Sequence, residues 1–107
     1  MSDIVNYWIQ GADKDYESML KIYEAKQYTW TLFIGHLVIE KLLKGLYAQN
    51  NPTNPHPPKI HNLLILAKKC NLDIDNETAR NLITFNSFNI TARYEDYKNS
   101  FYEKCTF

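Results

Sequence analysis

The sequence predicts an all-α protein, an up-and-down bundle of four to five helices in a single domain over residues 1–107. Three observations predict it. Apolar residues recur at three- and four-residue intervals through most of the chain, the spacing of one helical face. No alternating strand pattern, glycine-rich phosphate loop or internal repeat interrupts them. The length suits one core, since a chain of this size buries roughly two-thirds of the surface it exposes when unfolded.

The first helix is expected from Asp3 to Ala25, with Ile4, Trp8, Ala12, Tyr16, Met19, Leu20 and Tyr23 on its apolar face. Asp13, Lys14, Glu17, Lys21 and Glu24 fill the opposite side, where Glu17 and Lys21 form a favourable i,i+4 pair. The second helix, Thr29 to about Gln49, is the central one. Trp30, Phe33, Ile34, Leu37, Val38, Leu42, Gly45 and Leu46 give it a wide apolar stripe. Lys26, Gln27 and Tyr28 leave room only for a tight connection, so the two helices pack antiparallel.

Residues 50–59, Asn-Asn-Pro-Thr-Asn-Pro-His-Pro-Pro-Lys, hold all four prolines of the chain, and these exclude a regular helix. The stretch is a loop within the domain. Helical spacing resumes from His61 to Cys70, with His61 or Asn62 at its start and Asn71 as its stop. A fourth helix is capped by Asp75 or Asn76 and carries Ala79, Leu82, Ile83, Asn86 and Ile90 on one face, flanked by Phe85 and Phe88. Tyr97, Phe101, Tyr102, Cys105 and Phe107 are consistent with a fifth helical piece.

Composition narrows the function classes. The hydrophobic fraction of 45% with 22% charged residues is that of a folded globular chain. Twelve basic residues balance twelve acidic ones, so no global positive field draws the protein onto nucleic acid or an anionic membrane. The apolar runs fall far short of the ~20 residues of a bilayer span, and the N-terminus lacks a signal pattern. A cytoplasmic protein with no membrane partner is expected. Cys70 and Cys105 lack the short spacing of a zinc site and read as free, partly buried thiols. The eight tyrosines suggest half-buried surfaces, as at a dimer seam or a cleft.

Three places hold residues able to do chemistry. His36, Glu40 and Lys44 stand at i, i+4 and i+8 on the central helix, along nearly one line. The line reads as a solvated face with one Glu40–Lys44 pair or, because it borders a dense apolar face, as the lining of a cleft. His36 and Glu40 alone fall short of a metal site, which collects at least three protein ligands, so no metal and no cofactor are expected. His61, in Pro57-Pro58-Lys59-Ile60-His61-Asn62-Leu63, reads either as a structural residue at a helix entrance or as a ligand contact or proton carrier. Arg93, one of two arginines in the chain, could fork onto a phosphate or lock helices together through Glu40 or Glu95.

Together these strings resemble the HEPN family, helical domains of prokaryotic nucleotidyltransferase systems and of many RNA-targeting defence proteins. The matching pieces are Ile39-Glu40-Lys41-Leu42-Leu43-Lys44-Gly45-Leu46, Pro58-Lys59-x-His61-Asn62-Leu63 and Ala92-Arg93-Tyr94, and the resemblance covers nearly the whole chain. It implies a bundle of four or five helices, often a homodimer, with polar residues gathered in a cleft. Some members are ribonucleases with an Arg-x4–6-His motif. Arg93 matches the arginine, but Lys98, Asn99 and Ser100 stand where the histidine should be, so the motif is incomplete and no catalytic residue is assigned. The resemblance implies a nucleotide- or RNA-binding module that pairs with itself and with a separately encoded minimal nucleotidyltransferase, its ligand site lined by Glu40, Lys44, His61, Arg93 and Tyr94. The alternatives are a divergent ribonuclease of a toxin-antitoxin system, with another side chain replacing the histidine, and a purely structural dimerisation bundle.

Overall fold

The computed structural model describes residues 3–88. Arg93, Tyr94, Cys105 and the expected fifth helical piece lie outside the described residues. Within them the chain is an all-α bundle: α1 (Asp3–Glu24), α2 (Tyr28–Asn50), α3 (Leu63–Lys69) and a fourth helix, α4, over residues 76–88. No strand occurs among the described residues.

Local chemistry sets the helix ends. Both α1 and α3 stop in a Schellman arrangement, in which one residue turns left-handed and two backbone amides cap carbonyls of the last turn. At the end of α1 the left-handed residue is Lys26, with φ 62°, and the amides of Lys26 and Gln27 reach the carbonyls of Tyr23 and Ile22. Asn71 does the same after α3, with φ 60°, and the amides of Asn71 and Leu72 reach Lys68 and Ala67. Asparagine tolerates that conformation better than lysine does. Asn62 starts α3 by accepting the Ile65 amide at 3.2 Å, and Asp75 starts α4 by accepting the Thr78 amide at 2.7 Å.

The Lys26–Gln27 turn sends α2 back along α1. The two helices approach closely at Gly45, where an added Cβ would stand 3.3 Å from the Trp8 Cβ and 3.5 Å from the Ile9 Cγ1. Lys41 bridges the same interface through a 2.7 Å ion pair with Asp15. On its other side α2 meets α3. Leu63 and Leu66 are fully buried there, each contributing about 1.5–3 kcal/mol of apolar burial. The Cys70 thiol donates to the Leu43 carbonyl at 3.3 Å, and Asn50 donates to the Cys70 carbonyl. Burial raises the Cys70 thiol above its ordinary pKa, which leaves it a small inert hydrophobe.

Two expected faces are corrected. On α1, Trp8, Ala12 and Met19 lie on the covered face as expected, but Tyr16, Leu20 and Tyr23 are exposed, and Val5, Ile9 and Ile22 are covered in their place. The close approach at Gly45 pulls in the side of α1 that carries Val5, Trp8 and Ile9, and this turns the tyrosine edge outward. On α4, Ile83 points to solvent while Ala79, Leu82, Phe85 and Asn86 are partly covered. Leu42 on α2 is exposed as well.

Candidate functional site

Helical spacing aligns His36, Glu40 and Lys44 on α2, and the fold decides what surrounds them. The line is buried. His36 is 1% exposed, Glu40 5% and Lys44 6%, so the solvated-face expectation is overturned. The surface that would have been wet is covered by α1 at Trp8 and by the chain as it leaves the proline loop toward α3.

A buried carboxylate is costly unless its oxygens find donors. Glu40 finds several. Its Oε2 accepts from the Lys44 ammonium at 3.1 Å, and His61 Nδ1 lies 3.0 Å from Oε1 and 3.1 Å from Oε2. His36 Nδ1 stands 3.8 Å from Oε1. Lys44 in turn lies 5.4 Å from the centroid of the Trp8 ring, a cation–π distance. The carboxylate is thus the hub, fed by one ammonium from its own helix and one imidazole from the far end of the loop.

His36 fixes the entrance to α3. A carbonyl only accepts, so His36 Nε2 carries a proton and donates to the His61 carbonyl at 3.0 Å. Asn86 of α4 secures the next two residues: its Oδ1 accepts the Leu63 amide at 2.8 Å, and its Nδ2 donates to Asn62 Oδ1 at 3.1 Å. Contacts from two helices therefore hold the His61–Asn62–Leu63 entrance. The His61 side chain nonetheless remains 58% exposed, the open side of an otherwise closed cluster.

Of the five residues the sequence marked as ligand-binding, the structure brings Glu40, Lys44 and His61 together, and Arg93 and Tyr94 lie outside the described residues. Sequence reasoning placed His36 on the polar line but left it out of the site, although it holds the backbone of His61. Its signal was the four-residue step to Glu40. Trp8 and Asn86 were read as apolar-face residues, and only the asparagine on an otherwise apolar stripe hinted at a polar task. No group of three or more His, Cys, Asp or Glu side chains able to hold a metal occurs among the described residues.

The geometry defines a helical module whose central helix carries a buried Glu–Lys–His cluster, open at one imidazole. A family model for the HEPN domain matches residues 5–106, and the chain belongs to the HEPN domain family. Membership supports a nucleotide- or RNA-related module at the family level. No curated protein and no solved structure matches the chain. No helix among the described residues is long and apolar enough to cross a membrane.

Proposed function

We propose that the protein is a nucleotide- or RNA-binding module that acts as a homodimer and together with a separately encoded minimal nucleotidyltransferase. Its ligand site is the Glu40, Lys44 and His61 cluster, completed by Arg93 and Tyr94. The observation that carries this reading is the burial of three polar side chains in line on the central helix, where apolar residues would pack at less cost. Replacing buried ion pairs by apolar groups of like volume is often neutral or stabilising, so stability alone is a poor reason to keep one. The cluster opens at an aromatic donor and acceptor, His61, suited to contact a base, a ribose or a phosphate. Arg93 supplies a guanidinium for phosphate.

The dimer draws support from the surface of the helical hairpin. Tyr16, Leu20, Tyr23 and Tyr28 are exposed, and the Tyr23 and Tyr28 rings lie 5.7 Å apart across the turn. Exposed tyrosines of this kind suit an interface that is apolar at one end and wet at the other. The nucleotidyltransferase partner rests on family membership, a warrant from analogy.

Calorimetric titration with ATP, other nucleotides and a short single-stranded RNA, run beside Arg93→Ala and His61→Ala, tests the reading. Saturable binding that weakens in both variants is expected, with sedimentation at twice the chain mass. A folded dimer that binds none of these ligands would contradict the site and favour the structural bundle.

A further inference from the structure

The helical hairpin of α1 and α2 has two edges of opposite character. Along one run the charged contacts: Lys41 with Asp15 at 2.7 Å and Lys44 with the Trp8 ring at 5.4 Å, next to the Glu40–His61 pair. The other is marked by Gly35, where an added Cβ would stand 3.5 Å from the Met19 Sδ, and by the Tyr23 and Tyr28 rings, 5.7 Å apart.

On α2 this second edge is the stripe of Tyr28, Leu32, Gly35, Ile39 and Leu42, whose steps of four, three, four and three residues are those of a helix-packing seam. On α1 it is Tyr16, Leu20 and Tyr23, with steps of four and three, set beside Met19. At 3.6 residues per turn, the α2 stripe lies about 120° round the helix from the line of His36, Glu40 and Lys44. Tyr16, Leu20, Tyr23, Tyr28, Leu32 and Leu42 are each between 43% and 58% exposed, and no residue of either stripe is charged.

We propose that a second copy of the chain packs hairpin against hairpin on this edge, across a two-fold axis, and leaves the Glu40, Lys44 and His61 cluster of each copy outside the seam. The proposal rests on the homodimer reading and deepens it by placing the seam and separating it from the ligand site. A second copy is the occupant that an uncharged edge fits. Across a two-fold axis a patch meets itself, so any charge near the axis would meet its like. Steps of three and four suit helices crossing at about 20°, so the two hairpins form a four-helix seam. Six large side chains at half exposure supply on the order of 600 Å², and each partner in a standard interface buries about 800 Å². Gly35 and Ile39, half-buried in the middle of the α2 stripe, supply part of the remainder. His61 then stays open in both copies, and the two sites bind ligand independently.

The test uses the full chain. Sedimentation of wild type, Leu32→Glu, Leu42→Glu and Lys59→Glu is measured over a range of concentrations, with helicity followed by circular dichroism. Each substitution enters the seam twice, so either glutamate on the stripe is expected to raise the dimer dissociation constant by about 100-fold or more. Lys59→Glu, two residues ahead of His61, should leave it unchanged. A second measurement needs only wild type and reads chemical modification by peptide mass. Dilution into monomer should speed nitration of Tyr23 and Tyr28 and leave carbethoxylation of His61 at the same rate. A dimer that survives both glutamates in folded protein, or a His61 protected by dimerisation, would overturn the seam and leave the homodimer reading in place. A wild-type monomer at every concentration would overturn both, and slow nitration in that monomer would assign the edge to cover from within the chain.

Discussion

Glu17 and Lys21 on α1 and Glu40 and Lys44 on α2 are the same pair on paper: a glutamate four residues ahead of a lysine on a long helix. On α1 both side chains are exposed. On α2 both are buried, with His36 and Trp8 beside them and His61 closing over the carboxylate. An exposed i,i+4 pair contributes a few tenths of a kcal/mol, because water solvates either charge almost as well as its partner does. A buried one is a commitment, since each group depends on the other once water is excluded. Environment, supplied by elements distant in sequence, separates a solubilising stripe from a buried cluster.

The largest effect that would break this contrast is at Glu40. Glu40→Ala leaves the Lys44 ammonium buried without its carboxylate and is expected to lower stability by about 3–5 kcal/mol, read from urea unfolding at constant slope. His36→Ala comes next. It orphans the His61 carbonyl, for about 1–3 kcal/mol plus the cavity left by a ring that is 1% exposed. Glu17→Ala should stay within about 0.5 kcal/mol of wild type. Equal losses at Glu17 and Glu40 would erase the distinction.

Asp75 extends the comparison to a carboxylate that works at the surface. Its hydrogen bonds with Thr78 hold it below the ordinary carboxylate pKa. A carboxylate depressed in the folded state stabilises the fold above its unfolded pKa, and that support fades as pH falls through the folded value. The effect should be local: Asp75→Ala, or acidification of wild type, speeds hydrogen exchange at the Thr78 amide and leaves α1 and α2 amides protected. An unchanged Thr78 rate in the variant would remove Asp75 as the cap.

The same contrast explains what could be read from the sequence. Helix positions were legible because apolar spacing and end chemistry are local: Asn62 and Asp75 cap where expected, and Asn71 turns left-handed where a stop was placed. Faces were less legible. Tyr16, Leu20 and Tyr23 satisfy helical spacing as well as Val5, Ile9 and Ile22 do, and the choice between the two edges is made by the close approach at Gly45, a contact between helices. Glu40, Lys44 and His61, singled out by residue type and spacing, lie in contact with one another. Their burial was not legible, because the group that covers Glu40 follows a proline loop whose course no local pattern dictates.

The central claim, that two identical spacings on two helices do different work, is tested most directly by a pair of double-mutant cycles in one denaturation series. One cycle removes Glu40 and Lys44 singly and together, the other Glu17 and Lys21. The account predicts a coupling of at least about 1 kcal/mol between Glu40 and Lys44 and no more than about 0.5 kcal/mol between Glu17 and Lys21. Couplings of equal size would contradict it.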